Sequence, residues 1–398
     1  AISVAPGSTP ETVEVGSHIA EVAAWIAPGS YFDRTAGSRG FTAYLPGRTL
    51  PMLPKGLTAQ ISMRQGVDAP SHSVLLEVER ATGKVVSFKR VHGLLHVDHR
   101  LNYDEVQDFF DHQRRGDDWS NRLAENLEAL RDITLKMRHW RKVNEVFLDL
   151  EIPEIRVIVD EANNQIVGLD NHQQRESEQL VEECMLAANS AVAAELTAKH
   201  IPGLFRVHPE PEPEKLEEFS ALSETAFGIP TGDLSTRKGC RHYLDQLPDD
   251  ARKQPLLNAF PRPLPRAYYQ DKPAIHFGLG KGLYSHFTSP IRRYPALLVH
   301  QQLWARDLGP NLKSNEEMAH WGAETSELEN NNDEAYYAAS DRMKLRYLDE
   351  MLESGHENIH HALVVKTVSA GVVVELPELG LQGFIDALEL QQAECGHD

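Results

Sequence analysis

The sequence lacks three features that would narrow its class at once: paired cysteines, long apolar runs and an excess of positive charge. Its three cysteines, Cys184, Cys240 and Cys395, are odd in number and far apart, which excludes a disulfide framework and a CxxC metal site. No stretch approaches the roughly 18 to 20 apolar residues of a membrane span, and the first residues have no signal-peptide pattern. We therefore expect a cytoplasmic protein with reduced thiols and no membrane partner.

The missing positive charge bears on nucleic-acid binding. The chain has 40 Lys and Arg against 59 Asp and Glu, a formal net charge of −19, whereas a protein that binds a polyanion over its outer surface usually has the opposite balance. This does not exclude a narrow channel, because the local field depends on where the basic residues lie. At 398 residues, two or three domains are expected. Because the chain begins at Ala1 without methionine, we expect a fragment or a processed product.

Apolar patterning predicts a β-rich start followed by helices. Alternation of apolar and polar side chains predicts strands over residues 13–25 and a hairpin over residues 73–88. Apolar residues at spacings of three and four predict helices over residues 120–141 and 176–199. The last forty residues change character and predict three short strands. The chain is therefore expected to have an α+β fold.

The segment from His276 to His300 holds the most information per residue. Ser289 followed by Pro290 predicts the start of a helix, which would place Arg292 and Arg293 in its first turn. Cations at that end of a helix are disfavoured by roughly 0.3–1 kcal/mol each unless an anion is also present. A phosphate could be that anion, bound by free backbone N–H groups and by guanidinium. The alternative is that both arginines pair with carboxylates elsewhere in this acidic chain.

The same segment closely resembles the signature of the RNase II (RNB) exoribonucleases, in which an HFGLG run is followed by an SPIRRY run. Other blocks typical of that family occur in the family's order, and the resemblance covers about residues 1–350. These blocks are HIA from His18, FDR from Phe32, TAYLPGR from Thr42, PMLP from Pro51 and VEECMLAAN from Val181.

The resemblance implies both an architecture and an activity. Residues 1–353 would form an RNB-type catalytic domain, a mixed sheet flanked by helices, and residues 354–398 would form part of an S1-like OB barrel. The implied activity is Mg²⁺-dependent hydrolysis of single-stranded RNA from its 3′ end, with release of 5′-mononucleotides. An OB barrel binds single strands by stacking and basic grooves.

The resemblance also implies roles for five residues. Arg292 matches the arginine that contacts the scissile phosphate and supports hydrolysis, and Arg293 is its substrate-binding neighbour. Tyr44 matches the tyrosine that packs on the 3′-terminal nucleotide, Glu182 the carboxylate that contacts this nucleotide, and Phe147 the aromatic residue that closes the base stack. Stacking suits a nuclease without sequence preference, because every base has an aromatic face. The alternatives are core aromatic residues for Tyr44 and Phe147, and a solvated helix face for Glu182.

One departure from the family pattern concerns the metal. The family has a run of four aspartates that ends in Asp-Asp-Ala, and Ala1 to Val4 continue that run without the aspartates. Mg²⁺ needs oxygen ligands such as carboxylates, so we expect these ligands upstream of Ala1 and assign no metal ligand within the 398 residues. The adjacent pairs at residues 117–118 and 249–250 are interpreted as solvated turns.

Three substitutions support a rival hypothesis. Glu21 and Ala296 stand where the family usually has aspartate, and Tyr336 stands near the position of a glutamate of the site. A homologue that binds RNA or regulates, without hydrolysis, would tolerate such changes. The retained Arg292 and Tyr44 favour the enzyme, since a protein without chemistry has little reason to keep the group that serves the scissile phosphate.

Overall fold

The computed structural model describes residues 1–150, 154–160, 165–250, 252–309, 312–354 and 360–392, so Cys395 lies outside the described residues. It confirms the α+β class. The strands are β1 (Ile2–Pro6), β2 (Thr12–Ala20), β3 (Ala43–Leu45), β4 (Arg48–Leu50), β5 (Asp68–Glu79), β6 (Val85–His96), β7 (Glu154–Asp160), β8 (Gln165–His172), β9 (Phe205–Val207), β10 (Tyr268–Gln270), β11 (Leu363–Val368), β12 (Gly371–Leu376) and β13 (Leu381–Asp386).

Two of the helices, α4 (Asn121–Asn144) and α5 (Glu176–Ala198), lie where the apolar periodicity predicts them. The other helices are α1 (Tyr31–Arg39), α2 (Lys55–Ile61), α3 (Tyr103–His112), α6 (Pro213–Ala221), α7 (Arg237–Gln246), α8 (Lys253–Ala259), α9 (Tyr294–Leu308), α10 (Asn315–Glu353) and α11 (Ala387–Gln392). Among the described residues, none of these helices is both long enough and apolar enough to cross a bilayer.

The main sheet has the strand order β1-β2-β5-β6. Its pairing is antiparallel, and the β5–β6 hairpin lies where the alternation predicts it. The parallel pairing expected of a mixed sheet is confined, within the described chain, to isolated bridges such as His208 with His276. Helices α4 and α5 pack on this sheet, and one hydrophobic core contains Val15 of β2, Leu76 of β5, Leu127 of α4 and Cys184 of α5.

A second, smaller core lies under the following helices. It joins Phe219 of α6, Tyr243 of α7 and Phe260 to Phe277, a residue of the HFGLG run. Phe219 packs edge-on against both Tyr243 and Phe260, at centroid distances of 5.5 Å. Phe277 is therefore a core residue, and its packing positions the glycines that follow it in the chain.

The C-terminal strands β11, β12 and β13 form a separate antiparallel sheet. The positions of all three strands agree with the apolar pattern, but no closed barrel is present within residues 360–392. Polar contacts of this sheet with the rest of the described protein include a hydrogen bond from Lys344 of α10 to the Gly380 carbonyl at 3.4 Å and one from Asn258 of α8 to Glu375 at 2.9 Å. Arg262 also forms an ion pair with Glu375 at 3.7 Å. Its S1-like character stays a prediction.

Candidate active site

Residues 285–293, which we call the arginine loop, contain the SPIRR sequence and end at the start of α9. The predicted helix start at Ser289 is wrong, because α9 begins at Tyr294 with Arg293 as its N-cap. The N–H groups of Arg292 and Arg293 both bond to the Ser289 carbonyl, at 3.2 and 3.0 Å, which closes a turn. Pro295 occupies the first turn of α9 instead, a position that suits proline.

Asn189 of α5 holds the backbone of the arginine loop. The Oδ1 atom of Asn189 accepts hydrogen bonds from the backbone N–H groups of Phe287 and Thr288, at 2.8 and 3.1 Å. Its amide group donates to the hydroxyl of Tyr284 at 3.0 Å. Asn189 is buried, so these bonds are made in a low-dielectric interior and replace contacts with water. The last residue of the VEECMLAAN block thus fixes the loop backbone.

A second set of contacts brings Tyr44 to the arginine loop. The Thr42 N–H bonds to the Arg292 carbonyl at 3.0 Å, the Tyr294 N–H bonds to the Gly40 carbonyl at 2.8 Å, and Phe41 and Arg293 form a β-bridge. Tyr44 follows two residues later, on the short hairpin of β3 and β4. Its ring is 53% exposed, so it is not a core residue and has a face open to a ligand.

Asp33 of the FDR block bonds to α9 in the protein interior. Asp33 is buried, and its Oδ1 atom accepts hydrogen bonds from the Tyr294 hydroxyl at 3.2 Å and from Gln301 at 2.8 Å. Its Oδ2 atom accepts from the Gly29 N–H at 2.7 Å. Burial and the Asp33 carboxylate together raise the pKa of Tyr294. The tyrosine that starts α9 therefore stays protonated and keeps the helix against α1.

The guanidinium groups of Arg292 and Arg293 are available to bind a ligand. Within the described residues, neither Arg292 nor Arg293 has an ion pair or a side-chain hydrogen bond, and Arg292 is exposed. Their positive charge affects His286: burial lowers the pKa of this histidine well below its ordinary value, and the charge of Arg293 lowers it further. His286 is therefore neutral beside the arginines.

A buried polar array lies next to these arginines and was not predicted from the sequence. Arg206 forms an ion pair with Glu329 of α10 and lies 4.5 Å from the ring centre of Tyr269. The Tyr269 hydroxyl is 2.6 Å from His286 Nδ1. Burial raises the pKa of Glu329, and Arg206 opposes that shift. Asp333, one turn further on α10, also has its pKa raised by burial.

Glu182 and Phe147 both lie beside Arg138. Glu182 is 4.0 Å from Arg138 and accepts a hydrogen bond from Gln174 at 2.7 Å. The ring of Phe147 is only 4% exposed, with the guanidinium of Arg138 5.2 Å and that of Arg141 4.4 Å from its centre. A base can stack on Phe147 only after these arginines move, so its role in stacking stays a prediction.

The glycine-rich run, residues 278–282, bonds to the segment that carries Phe147. The Leu148 N–H bonds to the Gly278 carbonyl at 2.8 Å, and Lys281 forms an ion pair with Glu145 at 2.6 Å. Gly280 has φ +67°, and a Cβ there would lie 2.2 Å from the Glu145 carbonyl oxygen. Backbone packing against Glu145 therefore requires glycine at this position.

The residues of the site do not by themselves form a magnesium site. In the described part of the chain, two groups of three or more His, Asp or Glu residues have the spacing for a metal, and neither includes a residue of the arginine loop, Glu329 or Asp333. Asp249 and Asp250 pair with Lys253 and Arg252 at the surface, as solvated turn residues would. No step of the chemistry is therefore assigned to a metal here.

Three comparisons relate the chain to known proteins. The family model of the RNB domain matches residues 1–306. Ribonuclease R of Thermotoga maritima is 30% identical over 385 residues, which cover 93% of this chain and 52% of that protein. Mycoplasma genitalium RNase R in complex with ribose-methylated single-stranded RNA has a TM-score of 0.86 at 24% identity, covering 97% of this chain and 60% of that one. Yeast Ssd1, a pseudonuclease, has a TM-score of 0.76 at 20% identity, with coverages of 97% and 47%.

The structural likenesses, both under 25% identity, show the fold alone, and the chain spans about half the length of the curated relatives it matches. The family match is stronger evidence, because it covers most of the chain. It includes the arginine loop and the VEECMLAAN and TAYLPGR blocks, which bond to the backbone of that loop. This chain belongs to the RNB-domain family.

Proposed function

We propose that the protein is a hydrolytic 3′→5′ exoribonuclease that releases 5′-mononucleotides from single-stranded RNA. One observation carries this proposal: Arg292 and Arg293 have no ion-pair partner within the described residues, although acidic residues outnumber basic ones 59 to 40. Guanidinium groups that an acidic protein leaves unpaired, beside the exposed ring of Tyr44, suit a ligand with both phosphates and bases.

Each residue has a part in binding or chemistry. Arg292 contacts the scissile phosphate with its forked guanidinium and stabilises the charge that develops there, while Arg293 binds the neighbouring phosphate. Tyr44 stacks on the 3′-terminal base. Glu182 contacts the terminal nucleotide, and Phe147 closes the stack from the opposite side once the arginines over its ring withdraw.

Mg²⁺ is the proposed cofactor, and its ligands are the aspartates that the family carries ahead of the HIA block. When bound, Mg²⁺ would polarise the phosphate and supply the attacking water. The proposed domain division is residues 1–353 for the RNB-type domain and residues 354–398 for the S1-like segment, which would receive the strand before it enters the site.

The test uses Arg292→Lys in the full-length protein with Mg²⁺ and 5′-labelled RNA. Lysine keeps the charge but loses the two-pronged contact, so turnover should fall at least tenfold while RNA affinity changes less than threefold. Arg346→Lys on the exposed side of α10 is the matched control and should leave both quantities unchanged. Equal losses of turnover and affinity in Arg292→Lys would make Arg292 a general clamp.

Binding without hydrolysis is the second candidate, and Ala296 favours it because that buried position on α9 usually has aspartate in the family. The same assay separates the two. A wild-type protein that binds single-stranded RNA yet releases no mononucleotide with Mg²⁺ would support the second candidate. Cleavage of 3′-blocked RNA, or internal cuts, would contradict the exonuclease proposal.

A further inference from the structure

A buried cluster of three metal-ligand side chains, the Glu21 cluster, lies where the end of β2 meets β5 and α9. Glu21 follows β2, His72 is on β5 and His300 is on α9. Their exposed fractions are 2%, 0% and 0%, and their ligand atoms all lie within 4.8 Å of one another. None of the three belongs to the arginine loop, and none is among the residues proposed to bind RNA.

Each member of the cluster has one buried atom without a hydrogen-bond partner in the described part of the chain: Glu21 Oε1, His72 Nδ1 and His300 Nδ1. His72 Nδ1 lies 3.5 Å from Glu21 Oε2, and His300 Nδ1 lies 3.7 Å from Glu21 Oε1. Buried unpaired polar atoms are destabilising. Ligands about 2.1 Å from a tetrahedral zinc ion lie about 3.4 Å apart, so the 3.7 Å between His300 Nδ1 and Glu21 Oε1 fits a shared ion better than a hydrogen bond.

The hydrogen bonds around the cluster orient two of its members for a metal. His300 Nε2 lies 2.9 Å from the Phe287 carbonyl, which can only accept, so this nitrogen carries the hydrogen and Nδ1 presents a lone pair. Histidine ligands typically make such a bond with their second nitrogen. Glu21 Oε2 is held by His92 Nδ1 at 2.6 Å, which leaves Oε1 for the ion.

His72 has a different arrangement. Its Nε2 atom lies 2.7 Å from Arg90 Nη1, which can only donate, so the neutral ring carries its hydrogen on Nδ1. A metal ion at Nδ1 replaces that proton, and the deprotonated ring is then stabilised between the ion and Arg90. The neighbouring cations Arg90 and His92 are balanced by Glu195 and Asp307. Zn²⁺, the Glu21 carboxylate and this ring then sum to zero charge, as a buried site requires. Proton release on binding is usual for metal sites.

A neighbouring group of potential ligands is already filled. His72 Nε2, His92 Nε2 and Asp307 surround the Arg90 guanidinium, with Nη1 at 2.7 Å from His72 and 3.5 Å from His92 and in an ion pair with Asp307. Arg90 also pairs with Glu195 at 2.8 Å. A guanidinium nitrogen thus occupies the place of a cation in that group, whereas His92 and Arg90 bond only to the outer atoms of the Glu21 cluster, Glu21 Oε2 and His72 Nε2.

We propose that the Glu21 cluster binds one Zn²⁺ ion through Glu21 Oε1, His72 Nδ1 and His300 Nδ1, with a water molecule completing the tetrahedron. Two imidazole ligands favour Zn²⁺ over Mg²⁺, which prefers oxygen. The ion ties β2 and β5 to α9, the helix that the arginine loop precedes. It is a site separate from the proposed magnesium centre.

The experiment measures zinc in untagged full-length protein dialysed against metal-free and against micromolar Zn²⁺ buffers, by mass spectrometry of the metal. The wild-type protein should hold one Zn²⁺ per chain, and its Tm should rise by a few degrees with Zn²⁺. Glu21→Gln, which keeps the shape of the side chain, should bind Zn²⁺ about 100-fold more weakly. Affinity of the wild-type protein should fall as the pH is lowered from 7.5 to 6, because a proton competes for His72.

His96→Gln is the matched control, since His96 is an exposed histidine on β6 that, within the described residues, forms an ion pair with Asp68 alone. It should bind Zn²⁺ like the wild type. Zinc content below 0.1 per chain in the wild type, or equal content in the wild type, Glu21→Gln and His96→Gln, would overturn the proposal. The first result would mean that water or a proton satisfies the cluster, and the second that zinc binds surface histidines. Both are read without RNA, so they are independent of the proposed nuclease activity.

Discussion

Replacement of Asn189 by leucine is expected to detach the arginine loop from α5. Leucine has the same branching at Cγ but cannot accept the bonds from the Phe287 and Thr288 N–H groups, which the wild type makes at 2.8 and 3.1 Å. Each buried donor left unpaired costs roughly 1–3 kcal/mol, so unfolding should become easier by roughly 2–6 kcal/mol. If the loop shifts by about 1 Å to reach new partners, misplacement of Arg292 should lower turnover by about 100-fold.

Urea unfolding gives the first quantity, and single-turnover hydrolysis of a labelled oligonucleotide gives the second. Ser190→Ala is the matched control, because Ser190 is the next residue of α5 and its buried hydroxyl has no hydrogen-bond partner within the described residues. It should change the free energy of unfolding by less than about 0.5 kcal/mol. A loss below 1 kcal/mol in Asn189→Leu, with normal turnover, would refute the idea that Asn189 sets the loop.

Three further perturbations test the site. Gly280→Ala should lower the free energy of unfolding by roughly 1–3 kcal/mol, because its Cβ would meet the Glu145 carbonyl at a positive φ; Gly282→Ala has open space, and an equal loss there would contradict the reasoning. Tyr44→Ala should lengthen the final RNA product on a sequencing gel, since it removes roughly 1–3 kcal/mol of stacking, and an unchanged product would exclude Tyr44 from the clamp. Burial lowers the pKa of His276 from 6.5 to about 3, so the unfolded chain takes up a proton first and stability should fall below pH 6.5, by roughly 2 kcal/mol at pH 5; a wild-type slope in His276→Gln by urea unfolding would argue against this.

Local patterning was sufficient for the long elements. Helices α4 and α5 and the β5–β6 hairpin follow from apolar periodicity, because their stability depends on one apolar face that the sequence displays directly. The start of α9 could not be predicted in the same way. Ser289 and Pro290 suit a helix start and a turn equally well, and the Gly40 carbonyl, which binds the Tyr294 N–H, decides between them from 254 positions away along the chain.

The candidate site was likewise predictable only in part. The family blocks pointed to the arginine loop and Tyr44, which the fold brings together. The Arg206–Glu329–Tyr269 array joins three distant segments, and no local pattern marks it. Burial of Phe147 likewise depends on Arg138 and Arg141, residues of a helix whose periodicity predicts only its own apolar face. Long-range polar contacts of this kind need coordinates.

Helix α10 imposes a strict spacing on the chain. Glu329, which pairs with Arg206, and Lys344, which bonds to the Gly380 carbonyl, lie on one uninterrupted helix. Deleting one residue between them would rotate one end relative to the other by about 100° and shorten the helix by about 1.5 Å, so both contacts could not be made together. Insertions and deletions should therefore be excluded from residues 330–343 during evolution, although the seven exposed side chains of this stretch are free to vary in kind.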